Sequence, residues 1–93
     1  MYTLPSEITI AHVEVCKSQL LEFIEQHKDI TFDDSQITRV DTVGVQLILA
    51  TINYITAQNK SLTWQCSSTI LNQSIKQLGL NDPILNQYFK ESF

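Results

Sequence analysis

Between Val43 and Gln58 the chain carries two apolar stripes at helical spacing. Val45, Ile48, Leu49, Ile52 and Ile55 lie on one side, and Val43, Leu47, Ala50 and Tyr54 on the other. One stripe seats a helix on a sheet, so the second must meet another helix or a partner. Such a helix requires a layered fold around it. Gln46, Thr51 and Asn53 interrupt the segment, which is also too short to cross a bilayer.

The flanking segments supply the other layer. Tyr2-Thr3-Leu4 reads as a short strand whose ladder Pro5 limits, with Glu7-Ile8-Thr9-Ile10 continuing it after a break. Val13, Cys16, Leu20, Phe23 and Ile24 recur at helical spacing and predict a helix over about 11–27. Ile30-Thr31-Phe32 reads as a buried strand, Ile37-Thr38-Arg39-Val40 as a short extended approach, and Ser61-Leu62-Thr63-Trp64-Gln65-Cys66 alternates as a half-buried strand. Asn59-Lys60 closes the central helix. Ser67 or Ser68 can cap a third helix carrying Ile70, Leu71, Ile75 and Leu78 and ended by Gly79, and a last short helix is expected after Asp82-Pro83. Strands alternating with helices imply right-handed crossovers and a largely parallel sheet.

Composition removes several classes of function. With 93 residues the chain is expected to form one domain over 1–93. A net charge of -4 and only six Lys and Arg provide no basic cluster for a phosphate backbone, so nucleic acid is not an expected partner. Cys16 and Cys66 lack metal spacing and are expected as small buried residues in a reducing compartment. No basic segment precedes an apolar one at the N-terminus, so the expected location is cytoplasmic, without membrane insertion.

Catalytic groups do not assemble. His12 and His27 have no Ser or Cys nucleophile beside them and are expected on the surface of the first helix. Asp33-Asp34 is expected as a solvated strand end rather than a cation site, which needs further oxygen ligands. Two glycines in the whole chain leave no phosphate-cradling loop. No metal, cofactor or catalytic residue is therefore assigned. The remaining candidate is Asp41-Thr42-Val43-Gly44, where a carboxylate, a hydroxyl and backbone N–H groups meet at a helix N-terminus that favours anions. Asp41 or Thr42 can be the N-cap.

The run from Ile30 to Leu49, with Asp33 ending an apolar strand, Ile37-Thr38-Arg39-Val40 approaching, and Asp41-Thr42-Val43-Gly44 leading into an apolar helix, resembles the signature of STAS domains, the anti-sigma-factor antagonist family. That resemblance implies a small α/β fold, a four- to five-stranded, mostly parallel mixed sheet with helices packed on one side. It also implies a non-enzymatic role in switching partner proteins. In phospho-regulated members the second hydroxyl of an Asp-Ser/Thr-Ser/Thr-Gly motif accepts phosphate from a kinase-like anti-sigma factor, and here that position is Val43. Thr42 matches the preceding hydroxyl and is the candidate phosphorylation site that the resemblance leaves.

The Asp-Thr-x-Gly form also resembles the STAS subunit of a lipid-asymmetry ABC transporter, which grips its ATPase subunit, and single-domain STAS proteins of bacterial chemotaxis. The favoured expectation is a stand-alone signalling protein of the antagonist or chemotaxis kind. Its partner-binding residues are expected to be Asp41, Thr42, Val43, Gly44, Gln46 and Leu47, and a homodimer is left open.

Overall fold

Pro5 divides the N-terminal ribbon, and each half pairs with a different strand. The computed structural model describes residues 1–65 and 68–77. Strand β1 (Tyr2–Thr3) pairs in parallel with β3 (Asp29–Asp33), and Leu4 N–H extends the ladder to Asp33 C=O at 2.9 Å. Beyond Pro5, which has no N–H to give, Ser6 C=O accepts from Thr38 and Arg39. Strand β2 (Glu7–Ile8) then pairs in parallel with β4 (Arg39–Val40). Strand β5 (Ser61–Gln65) lies on the other side of β3, also in parallel. The broken ribbon thus joins a three-stranded group, β1-β3-β5, to a two-stranded one, β2-β4.

Among the described residues the strands form a three-stranded and a two-stranded group rather than one mixed sheet of four or five. Every pairing among the described residues is parallel. Crossovers through helices permit this arrangement among the described residues without a hairpin.

Register sorts the two faces of the larger group. Tyr2, Phe32 and Trp64 form one row across three strands, with Ile30 beside Leu62. Phe32 packs edge-on against both neighbours, with centroids 5.9 Å from Tyr2 and 5.3 Å from Trp64. The opposite rows, Thr31 with Thr63 and Thr3 with Asp33 and Gln65, are polar. Helices α1 (Val13–Gln26) and α2 (Thr42–Ala57) cover the apolar rows, and their buried faces carry Cys16, Leu20 and Ile24, and Val45, Ile48, Ile52 and Ile55. Thr51 is also buried in α2, and its hydroxyl donates to Leu47 C=O at 2.7 Å.

Helix ends follow local chemistry. Asn59 adopts the left-handed conformation (φ 58°) after α2, as a residue just past a helix end often does. Lys60 Nζ donates to Ile24 C=O near the end of α1, where a cation meets the negative end of the dipole. His12 and His27 are exposed, as expected, with His27 stacked on Phe23.

Asp34 departs from expectation. It is not solvated: it is fully buried, accepting from Trp64 Nε1 and from Ser68 N–H, each at 3.0 Å. The buried Asp34 side chain is satisfied because donors from two distant segments converge on it. Ser68 caps helix α3 (Thr69–Gln77) by accepting from Leu71 N–H at 3.0 Å. Leu71 and Ile75 enter the core with Asn72, whereas Ile70, carried by the same helix, is 39% exposed. Cys66, Leu78, Gly79 and the helix expected after Pro83 lie outside the described residues.

Asp34→Ala removes the acceptor shared by Trp64 Nε1 and the buried Ser68 N–H and is expected to lower stability by roughly 2–4 kcal/mol. Urea unfolding followed by the fluorescence of Trp64, the single tryptophan, measures it. A loss below about 1 kcal/mol, the worth of one ordinary hydrogen bond, would contradict the role given to Asp34.

Candidate functional site

The first turn of α2 lies directly against β2. A Cβ added to Gly44 would stand 1.8 Å from Ile8 C=O, closer than any two such atoms approach. Gly44 is therefore required by contact, not by backbone conformation. Asp41 N–H reaches the same Ile8 carbonyl at 3.4 Å, and Val45 N–H closes the first helical turn on Asp41 C=O at 3.0 Å.

Asp41, rather than Thr42, is the N-cap. Its extended backbone (φ -107°, ψ -175°) precedes the helix, and its Oδ1 accepts from Gly44 N–H at 2.8 Å. Its Oδ2 accepts from Ile10 N–H at 2.9 Å, so one carboxylate clasps the end of β2 to the start of α2. The N–H groups of Ile10 and then Gly44 hold its pKa below the usual carboxylate range.

Around this clasp the expected residues take two environments. Thr42 and Gln46 are exposed, while Val43 and Leu47 are half-buried, Leu47 on the side toward α1. Among the described residues the Thr42 hydroxyl has no hydrogen-bond partner. Leu47 also lines an apolar groove of about 190 Å³ between α1 and α2, with Leu20, Leu21, Ala50 and Tyr54. Tyr54 Oη donates to Glu25 at one end of it.

On the other flank lie residues that sequence patterning did not single out. Ile10, assigned to the strand by alternation, leaves it after Ile8 and is 69% exposed. Ile70 faces a hollow of about 250 Å³ with Thr9, Thr38, Arg39, Asp41 and Ser74. No sequence signal marks these, because β2 and α3 meet the turn only in the fold. Among the described residues no group of three His, Cys, Asp or Glu is placed to hold a metal ion, and no described helix is long and apolar enough to cross a membrane. Cys16 is a free, buried thiol whose pKa burial pushes up, which suppresses thiolate chemistry.

A family model described as the STAS domain matches residues 1–92. The chain belongs to the STAS family. No curated protein and no solved structure matches it. In this STAS domain the Asp and Gly of the family turn are structural: Asp41 clasps and Gly44 makes room. The residues between them are the ones left facing outward, Thr42 fully and Val43 in part.

Two measurements check the clasp. Glycine inside a helix ordinarily costs about 1 kcal/mol relative to alanine, yet here Gly44→Ala is expected to destabilise by about 1–3 kcal/mol or more through overpacking on Ile8. A melt showing stabilisation would contradict the contact. Because folding lowers the pKa of Asp41, its contribution is complete above the unfolded value near ~3.9 and is lost as pH falls through the lower folded value. The stability gap between wild type and Asp41→Asn should accordingly narrow below pH ~4, as urea midpoints at a series of pH values would show.

Proposed function

We propose that this STAS domain is a non-enzymatic regulatory protein that binds a partner protein in bacterial signalling, of the antagonist or chemotaxis-associated kind. The observation that carries the reading is the division of labour in the Asp41–Gly44 turn. The residues that build it point inward, and Thr42, Val43, Gln46 and Leu47 form a modest apolar patch with a polar rim at its outer end. Patches of this composition suit protein contact.

The usual phosphate switch does not operate at Val43, which has no hydroxyl. Thr42 is the only hydroxyl of the turn and stands at the helix N-terminus, where an added charge is favoured by the dipole. A phosphate at Thr42 would leave the fold intact and oppose docking, because a charge inside an apolar contact loses its water without gaining a partner. A cytoplasmic location, a single domain over 1–93 and the absence of turnover, cofactor and metal belong to the same reading.

Substitutions at the patch separate recognition from structure. Gln46→Lys and Leu47→Asp are expected to weaken partner binding, measured by titration against the partner recovered by co-purification. The Gln46 variant should keep the wild-type melt, since that side chain is exposed. Thr42→Glu should abolish binding while the melt holds or rises by roughly 0.3–1 kcal/mol. Thr42→Ala should change neither, because Asp41 is the cap. Unchanged affinity in all of the charged variants would sink the site.

A further inference from the structure

Helix α3 carries a polar residue on its buried face. Asn72 is buried together with Leu71 and Ile75 and is only 6% exposed. Its Nδ2 donates to Ser68 C=O at 3.2 Å, and its Oδ1 meets no donor among the described residues. Orphaned acceptors of this kind are rare in folded proteins, because each carries an uncompensated cost of desolvation. The helix does not need the amide to complete its own bonding. Ser68 C=O already accepts from Asn72 N–H at 3.3 Å, so that carbonyl is satisfied without the side chain.

The rest of the seat is slight. α3 packs against β4 and buries two apolar side chains, Leu71 and Ile75, where α2 buries Val45, Ile48, Ile52 and Ile55. At nine residues it is also too short to stay helical in water by itself. One tie is firm: Ser68 N–H donates to the buried carboxylate of Asp34 at 3.0 Å, immediately before the helix. Beside α3 the surface is not filled. Ile70 and Ser74 form one wall of the hollow of about 250 Å³, and Thr38, Arg39 and Asp41 form another.

We infer that α3 is a latch: it opens from β4 about its Asp34–Ser68 tie, and the buried Asn72 amide is the built-in weakness that keeps this opening accessible. Opening gives up the contacts of Leu71 and Ile75 but lets water reach Oδ1, so part of its cost is returned as hydration of the amide. Closed, Ile70 and Ser74 wall the hollow beside Asp41; open, Thr38, Arg39 and Asp41 lose that cover. The flank of the Asp41–Gly44 turn therefore has two forms. A partner that reads the turn from this side binds the two forms unequally and shifts the latch. This last consequence rests on the proposed function, whereas the latch does not.

Native-state amide exchange of the full chain, followed by NMR at low urea concentrations, tests the latch. In the wild type the N–H groups of Asn72, Ile75, Lys76 and Gln77 are expected to exchange through one shared opening, about a hundredfold or more less protected than Ile48 and Ile52 of α2. Ser68 N–H, on the hinge, should stay protected with the core. Asn72→Leu replaces the orphaned amide by an apolar side chain of similar size and should raise protection across α3 by roughly tenfold or more. The wild-type pattern is read without the variant, so the latch stays testable should the leucine crowd its seat.

α3 amides that exchange only together with Ile48 and Ile52 would overturn the inference, since the helix would then open with the whole protein. So would unchanged or reduced α3 protection in Asn72→Leu, the result expected if an ordered water satisfies Oδ1. Neither result would alter the titration of Gln46→Lys against the partner, so the two readings fail separately.

Discussion

The contact between Gly44 and the carbonyl of Ile8 sets the position of everything around it. A side chain as small as a methyl group at Gly44 would push α2 off β2. With glycine there, the first turn of the helix comes close enough for Asp41 to bond Gly44 N–H and Ile10 N–H with one carboxylate. The close approach and the clasp reinforce each other. Together they fix where the axis of α2 begins, and so which of its residues reach the core and which face out.

Asp34 plays a comparable part just past the C-terminal end of β3. It gathers Trp64 Nε1 and Ser68 N–H at the end of β3, tying the start of α3 to the sheet. Asp33 and Asp34 differ only in which way the chain turns them: Asp33 accepts from Ser35 N–H in a local turn, and its neighbour is fully buried. Adjacent carboxylates in a polar stretch give no sequence signal of that difference. The donors on Trp64 and Ser68 come from 30 and 34 positions away, so only the fold brings them to Asp34.

Elsewhere local rules were sufficient. The break at Pro5, the 3.6-residue period of α1 and the alternation of Ser61–Gln65 each appear where the pattern places them, because each depends on neighbours within a few residues. The doubled apolar pattern of α2 announced a helix with work on two sides. Its inner stripe is core, though Leu49 is only half-buried, and its outer one remains partly open. Ile70 and Ile10 escaped the same logic. Patterning grouped Ile70 with the other apolar residues of the third helix and put Ile10 in a strand, but the strand ends at Ile8 and α3 buries Leu71, Asn72 and Ile75. The candidate site was therefore legible on its α2 side and hidden where other elements come to it.

A STAS domain built this way separates what holds the turn from what the turn displays. The measurement that tests this most directly is amide hydrogen exchange at Ile10 and Gly44, the two N–H groups bonded to Asp41. If the clasp fixes α2 to β2, both amides are protected in the wild type, and both exchange much faster in Asp41→Ala while Ile48 and Ile52 in the core of α2 keep their protection. Exchange at Ile10 as fast as at a free surface residue in the wild type, or protection there that survives loss of the carboxylate, would contradict it.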